Sequence, residues 1–251
     1  MRILSWNIQW GRGIDGRVDL ARAAAVIRRC NADVVCLQEV AVNHPGLPGG
    51  AGGDQPARLA ELLPGHETVY GAGSDLVGDM GGGRRLFGQM ILVRPPVPQV
   101  FRHLLPWPPD PAVPSMQRVA VEAVVAAPEF PGGALRVITT HLEYYSAVLP
   151  RGEGCVLCGD FNSPAGAPEH EALKKVGAGG TPALVNAWPL IHGAVPPAPT
   201  FCVHDRGYLK EAACYDFFFV SANIADRVAA LSVDGACTAS DHQPVLIELR
   251  G

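Results

Sequence analysis

The sequence predicts an α/β fold in one domain spanning residues 1–251, with sheets covered on both faces, and three observations support this prediction. The first 40 residues contain a strand–helix–strand pattern typical of a βαβ unit. Later strands are apolar at successive positions, as in Phe217 to Val220, which indicates burial on both sides. With 48% hydrophobic and 18% charged residues, the chain can form a sizeable core.

The βαβ unit occupies the beginning of the chain. Residues 2–10 alternate between apolar and polar side chains, which predicts a strand with one polar face. A turn follows at residues 11–16, and Asp19 is suited to cap a helix that runs from Leu20 to about Cys30. Residues 33–39 then form a nearly all-apolar second strand.

The later elements are shorter and are separated by segments rich in glycine and proline. We expect surface loops at 44–56, 71–85 and 94–115, because such compositions interrupt regular structure. A short helix is predicted at 57–63. Further strands are predicted at 66–70, 87–93, 117–126, 134–141, 155–160, 215–221 and 244–249. The region between the strands at 155–160 and 215–221 is expected to be irregular.

Charge and cysteine content narrow the class of protein. The net charge of −4 argues against a constitutive nucleic-acid binder, which usually carries a basic face. The seven cysteines are odd in number and lie among apolar neighbours, as expected for free thiols in a reducing cytoplasm. Neither a signal peptide nor an apolar run of about 20 residues is apparent, so we expect a cytoplasmic protein without a membrane span.

The candidate catalytic and metal-binding residues are polar residues at the ends of apolar strands. Asp160 and Asn162 are two positions apart, so they share a face if the strand continues. Gly159 would let another group approach the backbone, and Pro164 ends the ladder. A carboxylate beside an amide suits a hard cation and an incoming water, and it equally suits a turn that closes the strand.

Asp241 and His242 stand immediately before the last predicted strand. Neighbouring residues on a strand face opposite ways, so the two can serve one site only if they precede it, and Pro244 favours this arrangement. The histidine could transfer a proton near neutral pH, while Asp241 could hold a metal or orient the imidazole. A capped turn would give the same local sequence.

Other strand-end residues each allow a catalytic and a structural interpretation. Glu39 ends the second strand and could anchor Mg²⁺, or it could be an exposed terminal acid. Asn7 and Asp216 could serve a site or form strand-cap hydrogen bonds. His141 could be a catalytic group or a satisfied core histidine.

Taken together, six motifs resemble the endonuclease/exonuclease/phosphatase superfamily in their order along the chain. They extend from Asn7 to His242 and cover essentially the whole sequence. The motifs are Trp6-Asn7, Leu37-Gln38-Glu39, Thr140-His141-Leu142, Gly159-Asp160-Phe161-Asn162, Tyr215-Asp216-Phe217 and Ser240-Asp241-His242. The resemblance implies a deoxyribonuclease-like four-layer sandwich, in which two mixed β-sheets flanked by helices carry the site at one end.

The resemblance also implies a metal site and an activity. Glu39 would be the main metal ligand, assisted by Asn7 and Asp241, with Mg²⁺ as the cofactor, Mn²⁺ as a possible substitute, and one or two ions bound. The implied activity is metal-dependent hydrolysis of a phosphodiester or phosphomonoester. Substrates would be small molecules, lipid head groups or nucleotides. The alternatives are a nuclease acting on DNA or RNA and a non-catalytic interaction module on the same fold.

Catalytic and substrate-binding roles follow from the same resemblance. Asp160 and Asn162 would position or activate the attacking water, Asp216 would orient His242, and His141 would donate to the phosphate or leaving group. Two further residues, Arg118 and Tyr144, are candidates for substrate contact. The family's relatives have a helical crossover between the Thr140-His141-Leu142 and Gly159-Asp160-Phe161-Asn162 motifs, whereas residues 143–154 here form a short segment with proline and glycine. Either the crossover is reduced or a flexible stretch is absent from this sequence.

Overall fold

The computed structural model describes residues 1–50, 52–78, 83–105, 116–142, 154–175 and 183–251, and these form two six-stranded sheets. In spatial order, the first sheet contains β11 (Val228–Val233), β12 (Val245–Leu249), β1 (Arg2–Asn7), β2 (Val34–Val42), β4 (Arg84–Val93) and β3 (Glu67–Val77). The second contains β5 (Gln99–Leu104), β6 (Val119–Ala126), β7 (Ala134–His141), β8 (Gly154–Asp160), β10 (Asp216–Ser221) and β9 (Leu184–Asn186).

Both sheets are mixed. Strands β1 and β2 are parallel in the first sheet, and β7 and β8 are parallel in the second, whereas the other described pairs are antiparallel. The carboxyl ends of a parallel pair therefore meet at one edge. Antiparallel pairing brings the start of β12 to the end of β1, and the start of β10 to the end of β8.

Apolar side chains fill three layers around these sheets. The central layer joins both sheets and includes Val34 of β2 and Val156 of β8, which are fully buried. A second layer packs the outer face of the first sheet against α1 (Leu20–Cys30) and α2 (Gln55–Leu62). The third covers the outer face of the second sheet and includes Leu173 of α3 (Pro168–Leu173). The four-layer α/β sandwich predicted from the sequence is confirmed.

Helix boundaries follow local capping chemistry. The Asp19 carboxylate accepts a hydrogen bond from the amide of Arg22 at the start of α1, as predicted, and Asn31 ends that helix in the left-handed conformation. Asp54 caps α2 in the same way. The last helix, α4 (Ala187–His192), is short. In the described part of the chain, no helix is both long and apolar enough to cross a membrane.

Several loop predictions were wrong. Strands β3 and β4 extend into the predicted loop at 71–85, because their glycines permit close pairing; a Cβ on Gly88 would lie 2.0 Å from the Gly71 carbonyl oxygen. Strand β5 lies inside the predicted loop at 94–115, and β9 and β11 were missed. Most of β5 is exposed at a sheet edge, so its sequence lacks a buried-strand pattern.

Candidate active site

The strand ends converge at one end of the sandwich. In the second sheet, Asp160 at the end of β8 is paired with His141 of β7 on one side and with Asp216 of β10 on the other. In the first sheet, Asn7 ends β1 and lies beside Gln38 of β2. The structure brings together eight sequence-predicted site residues, namely Asn7, Glu39, His141, Asp160, Asn162, Asp216, Asp241 and His242.

Unusual backbone conformations support this arrangement. Glu39 has a φ of 61° at an irregularity in the β2–β4 pairing, between Leu37 and Val40. Such a left-handed conformation is unfavourable for a residue with a side chain, and a bulge redirects the side chain it carries. Asn162, with a φ of 49°, is a second case. Gly159 has a φ of 143°, and a Cβ there would lie 1.9 Å from a backbone oxygen of β7.

Asp160 is the centre of the polar network and is only 1% exposed. Its Oδ2 accepts a hydrogen bond from Asn7 Nδ2 at 3.1 Å, and its Oδ1 accepts one from the amide of Asn162 at 2.9 Å. The same Oδ2 lies 3.3 Å from His141 Nε2 and 3.6 Å from His242 Nε2. One carboxylate thus faces the imidazole of His141 from its own sheet, and the imidazole of His242 and the amide of Asn7 from the first-sheet side.

His242 and Asp216 form a buried pair. His242 Nδ1 lies 2.8 Å from Asp216 Oδ2, and the Trp6 indole donates to the His242 carbonyl at 3.0 Å. Burial disfavours the charged imidazole, but the carboxylates of Asp216 and Asp160, together with that of Asp241, outweigh it and raise the pKa of His242 to about 10. His242 therefore carries a proton at neutral pH.

The pKa of His141 is shifted in the opposite direction. Burial lowers the pKa of His141 to about 3, although Asp160 opposes this shift, so the ring is neutral at neutral pH. Asn162 Nδ2 lies 2.8 Å from His141 Nε2 and also donates to the Leu142 carbonyl at 2.9 Å. The other ring nitrogen, Nδ1, lies 3.7 Å from Glu39 Oε1.

An acidic pocket lies next to these groups. Burial raises the pKa of Glu39 to about 7; the Asn7 amide opposes this shift, and the nearby carboxylate of Asp241 adds to it. Burial also raises the pKa of Asp241. The side-chain amide of Gln9 donates to Asp241 Oδ2 at 2.8 Å, while its backbone amide donates to Asn7 Oδ1 at 3.0 Å.

The donor chemistry fits a divalent cation. Four carboxylates, those of Glu39, Asp160, Asp216 and Asp241, share this site with one protonated imidazole, which leaves excess negative charge in a largely buried volume. Carboxylate and amide oxygens are the ligands preferred by Mg²⁺. Ligand atoms of Asp160, Asp216 and His242 also lie within 4.8 Å of one another. However, the His242 ring is protonated at neutral pH and an imidazolium has no lone pair to offer a metal, which favours the set of Asn7, Glu39 and Asp241.

Of the two predicted substrate-binding residues, the structure describes Arg118 but not Tyr144. Arg118 immediately precedes β6, and its charge contributes to the lowered pKa of His141, which places the guanidinium close to the site. Tyr144 lies outside the described residues, as does the segment from 143 to 153.

Several supporting residues were missed by the sequence analysis. Gln9 was noted only as part of the polar face of the first strand, and that alternation was the one signal available for it. The others act through contacts that local sequence does not reveal. They are Gln38, whose amide donates to Thr139 across the sheets, Thr200, which accepts from the amide of Asp216, Phe201, whose ring lies against His242, and Ser240, which donates to the Asn7 carbonyl.

Comparisons with known proteins agree with this architecture. The sequence model of the Endonuclease/Exonuclease/phosphatase family matches residues 4–242. An endonuclease/exonuclease/phosphatase structure from Beutenbergia cavernae is 26% identical, with a TM-score of 0.74, over 100% of this chain and 71% of that chain. Among curated proteins, no sequence matches the chain significantly.

Two further structures share the fold at lower identity. A family protein from Leptotrichia buccalis is 13% identical with a TM-score of 0.71, and each chain is covered over 100% of its length. The 3′ phosphatase NExo from Neisseria, solved with a product DNA hairpin, is 19% identical with a TM-score of 0.63, also over 100% of both chains.

Proposed function

Because the chain belongs to the endonuclease/exonuclease/phosphatase family and is thus a phosphoric ester hydrolase, we propose that it hydrolyses a small phosphate ester in a Mg²⁺-dependent reaction at this site. The observation that carries the proposal is the position of Asp160, between two imidazoles and beside an acidic pocket. A buried carboxylate, a charged imidazole and a neutral imidazole supply the groups that water attack on a phosphate requires.

Glu39 and Asp241, with the amide oxygen of Asn7, would hold the metal ion. When bound, a divalent cation offsets charge on the non-bridging oxygens of the phosphate and on these carboxylates. Mn²⁺ shares the preference for oxygen ligands and is expected to substitute. Gln9 contacts two of the three ligands, so it fixes their orientation in the way that outer hydrogen bonds commonly do.

The remaining residues have distinct proposed roles in the reaction. Asp160 accepts the proton of the attacking water, and Asn162 orients that water. His242, held protonated by its carboxylate neighbours, stabilises negative charge on the phosphate. His141 is neutral and contributes a hydrogen bond to the phosphate or leaving group without proton transfer.

The net charge of −4 favours a small ester over a long nucleic acid, since tight binding of nucleic acid depends on basic surface. A nuclease remains the alternative function. We also propose a cytoplasmic location, because all seven cysteines are free thiols, as is usual in a reducing compartment.

Substitution of the proposed metal ligand tests this function. Glu39→Gln removes a negative charge from the acidic pocket, so Mg²⁺-dependent phosphate release from a panel of esters should fall at least about 100-fold, which corresponds to several kcal/mol of transition-state stabilisation. The matched control is Glu129→Gln, which changes an exposed acid. Circular dichroism should show that both variants are folded. Full activity of the unmodified protein in the presence of a chelator would refute metal dependence.

A further inference from the structure

A row of aromatic rings begins at the catalytic imidazole. The Phe201 ring lies against the His242 ring, with centroids 4.6 Å apart and an interplanar angle of 34°. Tyr215 stacks on Phe201 at 5.5 Å and 21°, and Tyr208 stacks on it at 6.0 Å and 28°. We call Phe201, Tyr208 and Tyr215 the aromatic row. Its rings are close to parallel, and this is the arrangement that stacks a further planar group.

The aromatic row is fixed relative to the proposed reaction centre. Phe201 pairs with His242 as an isolated antiparallel bridge. The adjacent backbone makes further bonds to the same segment, from the Cys202 amide to the Asp241 carbonyl at 3.3 Å and from the Gln243 amide to the Thr200 carbonyl at 2.6 Å. Movement of Phe201 would therefore require movement of the segment that carries His242.

The outer end of the row is open to solvent. Tyr208 is 68% exposed, which is unusual for an aromatic side chain stacked on a half-buried ring. It follows a turn in which Asp205 Oδ1 accepts a hydrogen bond from the Gly207 amide at 2.9 Å. A ligand can thus reach the row from outside while another part of it occupies the acidic pocket.

Charges around Tyr208 limit the type of ligand. Between residues 202 and 213 the acids Asp205 and Glu211 balance the bases Arg206 and Lys210. A long polyanion would need a basic track, and a lipid chain would need a continuous apolar surface. A neutral loop that presents a ring suits one planar group.

We propose that the exposed end of the aromatic row is a stacking subsite for a nucleobase, so that the substrate is a nucleotide whose base lies against Tyr208 while its phosphate occupies the active site. This inference rests on the proposed function, because the row has this use only if a phosphate ester is bound beside His242. Stacking on aromatic side chains tolerates any base, so the subsite selects nucleotides without selecting among them.

The test compares esters with and without a base. Adenosine 5′-phosphate and ribose 5-phosphate form one pair, and their methyl esters form a diester pair, each assayed with Mg²⁺ for kcat/KM. We expect the adenosine ester to be preferred at least about tenfold, the range that stacking of one base provides. Tyr208→Ser should bring the ratio towards one, and Tyr208→Phe, which keeps the ring, should preserve it. Leu190→Ser, on the exposed side of α4, is the control for surface substitution.

Equal kcat/KM values for the esters with and without a base would overturn the subsite while the proposed function stands. A preference for the adenosine esters that Tyr208→Ser leaves unchanged would also overturn it. Absence of turnover with all four esters would count against the proposed function. In that case, calorimetric titration with adenosine 5′-phosphate and with ribose 5-phosphate tests the subsite by binding affinity instead of turnover. Tighter adenosine binding that Tyr208→Ser abolishes would support it, and equal affinities would overturn it.

Discussion

At the residue scale, the two site histidines differ in charge because their neighbours differ. Both are almost fully buried, and burial alone would make both neutral. His242 has three carboxylates around it and has a pKa of about 10, whereas His141 has a pKa of about 3. The two rings therefore suit the different roles proposed for them, and Asp216 is the principal group that raises the pKa of His242.

Asp216→Asn tests this division. The amide cannot hold the imidazolium as the carboxylate does, so kcat should fall about 100-fold or more, in line with losses seen when a histidine loses its orienting acid. The pKa of His242 should also fall, so activity should be lost at a lower pH on the alkaline side of the profile. The measurement is kcat against pH for both proteins. An alkaline limb at the same pH in both would contradict the role of Asp216.

At the element scale, hydrophobic patterning predicted the strands that form the core, whereas among the edge strands it predicted only part of β3. Strands β1, β2, β7, β8 and β10 were predicted within a few residues, since their side chains are buried on both faces. Edge strands β5, β9 and β11 were not predicted, because much of their surface is exposed or their span is short. Pairing with a neighbouring strand determines such elements, and pairing is not visible locally.

The pairing of β7 with β8 requires a residue without a Cβ at position 159. A Cβ there would lie 1.9 Å from the Thr140 oxygen, and the φ of 143° is unfavourable for any side chain. Gly159→Ala should therefore lower the free energy of unfolding by about 3 kcal/mol or more, or prevent folding. Gly235→Ala, where a Cβ meets nothing within 4 Å, should change it by less than about 0.5 kcal/mol. Urea denaturation measures both, and equal stabilities would show that β7 and β8 tolerate separation.

At the scale of the whole molecule, the site lies where the two sheets meet. The order of motifs identified its polar residues from sequence, because each motif is a few residues long and stands at a strand end. The contacts that join the sheets could not be predicted. Gln38 Nε2 donates to Thr139 Oγ1 at 2.8 Å across 101 positions of sequence, and no local pattern links such residues.

Global stability should depend on pH through His242. Its folded pKa of about 10 exceeds the ordinary histidine value of 6.5, so its stabilising contribution is complete below pH 6.5 and is lost as the pH rises towards 10. As the pH rises, the titration of Glu39 lowers the free energy of unfolding between about pH 4.5 and 7. The titration of His141 raises it between about pH 3 and 6.5. Between pH 7 and 8 His242 therefore makes the largest contribution.

In the pH range where His242 makes the largest contribution, the free energy of unfolding of the metal-free protein should fall by at most about 1.4 kcal/mol per pH unit. This is the limit for the release of one proton. Urea denaturation in the presence of a chelator measures the slope. His242→Gln has no titrating ring and should flatten it, even if the variant is less stable throughout. Above about pH 8 the thiols of the unfolded chain begin to ionise, so buried thiols such as Cys155, whose pKa is raised by burial to about 12, add losses of their own. A slope of equal size in the variant would assign the effect to other groups.

The pairing of β1 with β12 has a consequence for protein synthesis. Trp6 bonds to the carbonyl of His242, 236 positions later, and β1 receives its second neighbour only from residues 245–249. On the ribosome, the first strand keeps one edge unpaired until residues 245–249 have been translated. A nascent chain that ends before them lacks this pairing, so we expect ester hydrolysis to begin only after β12 docks on β1.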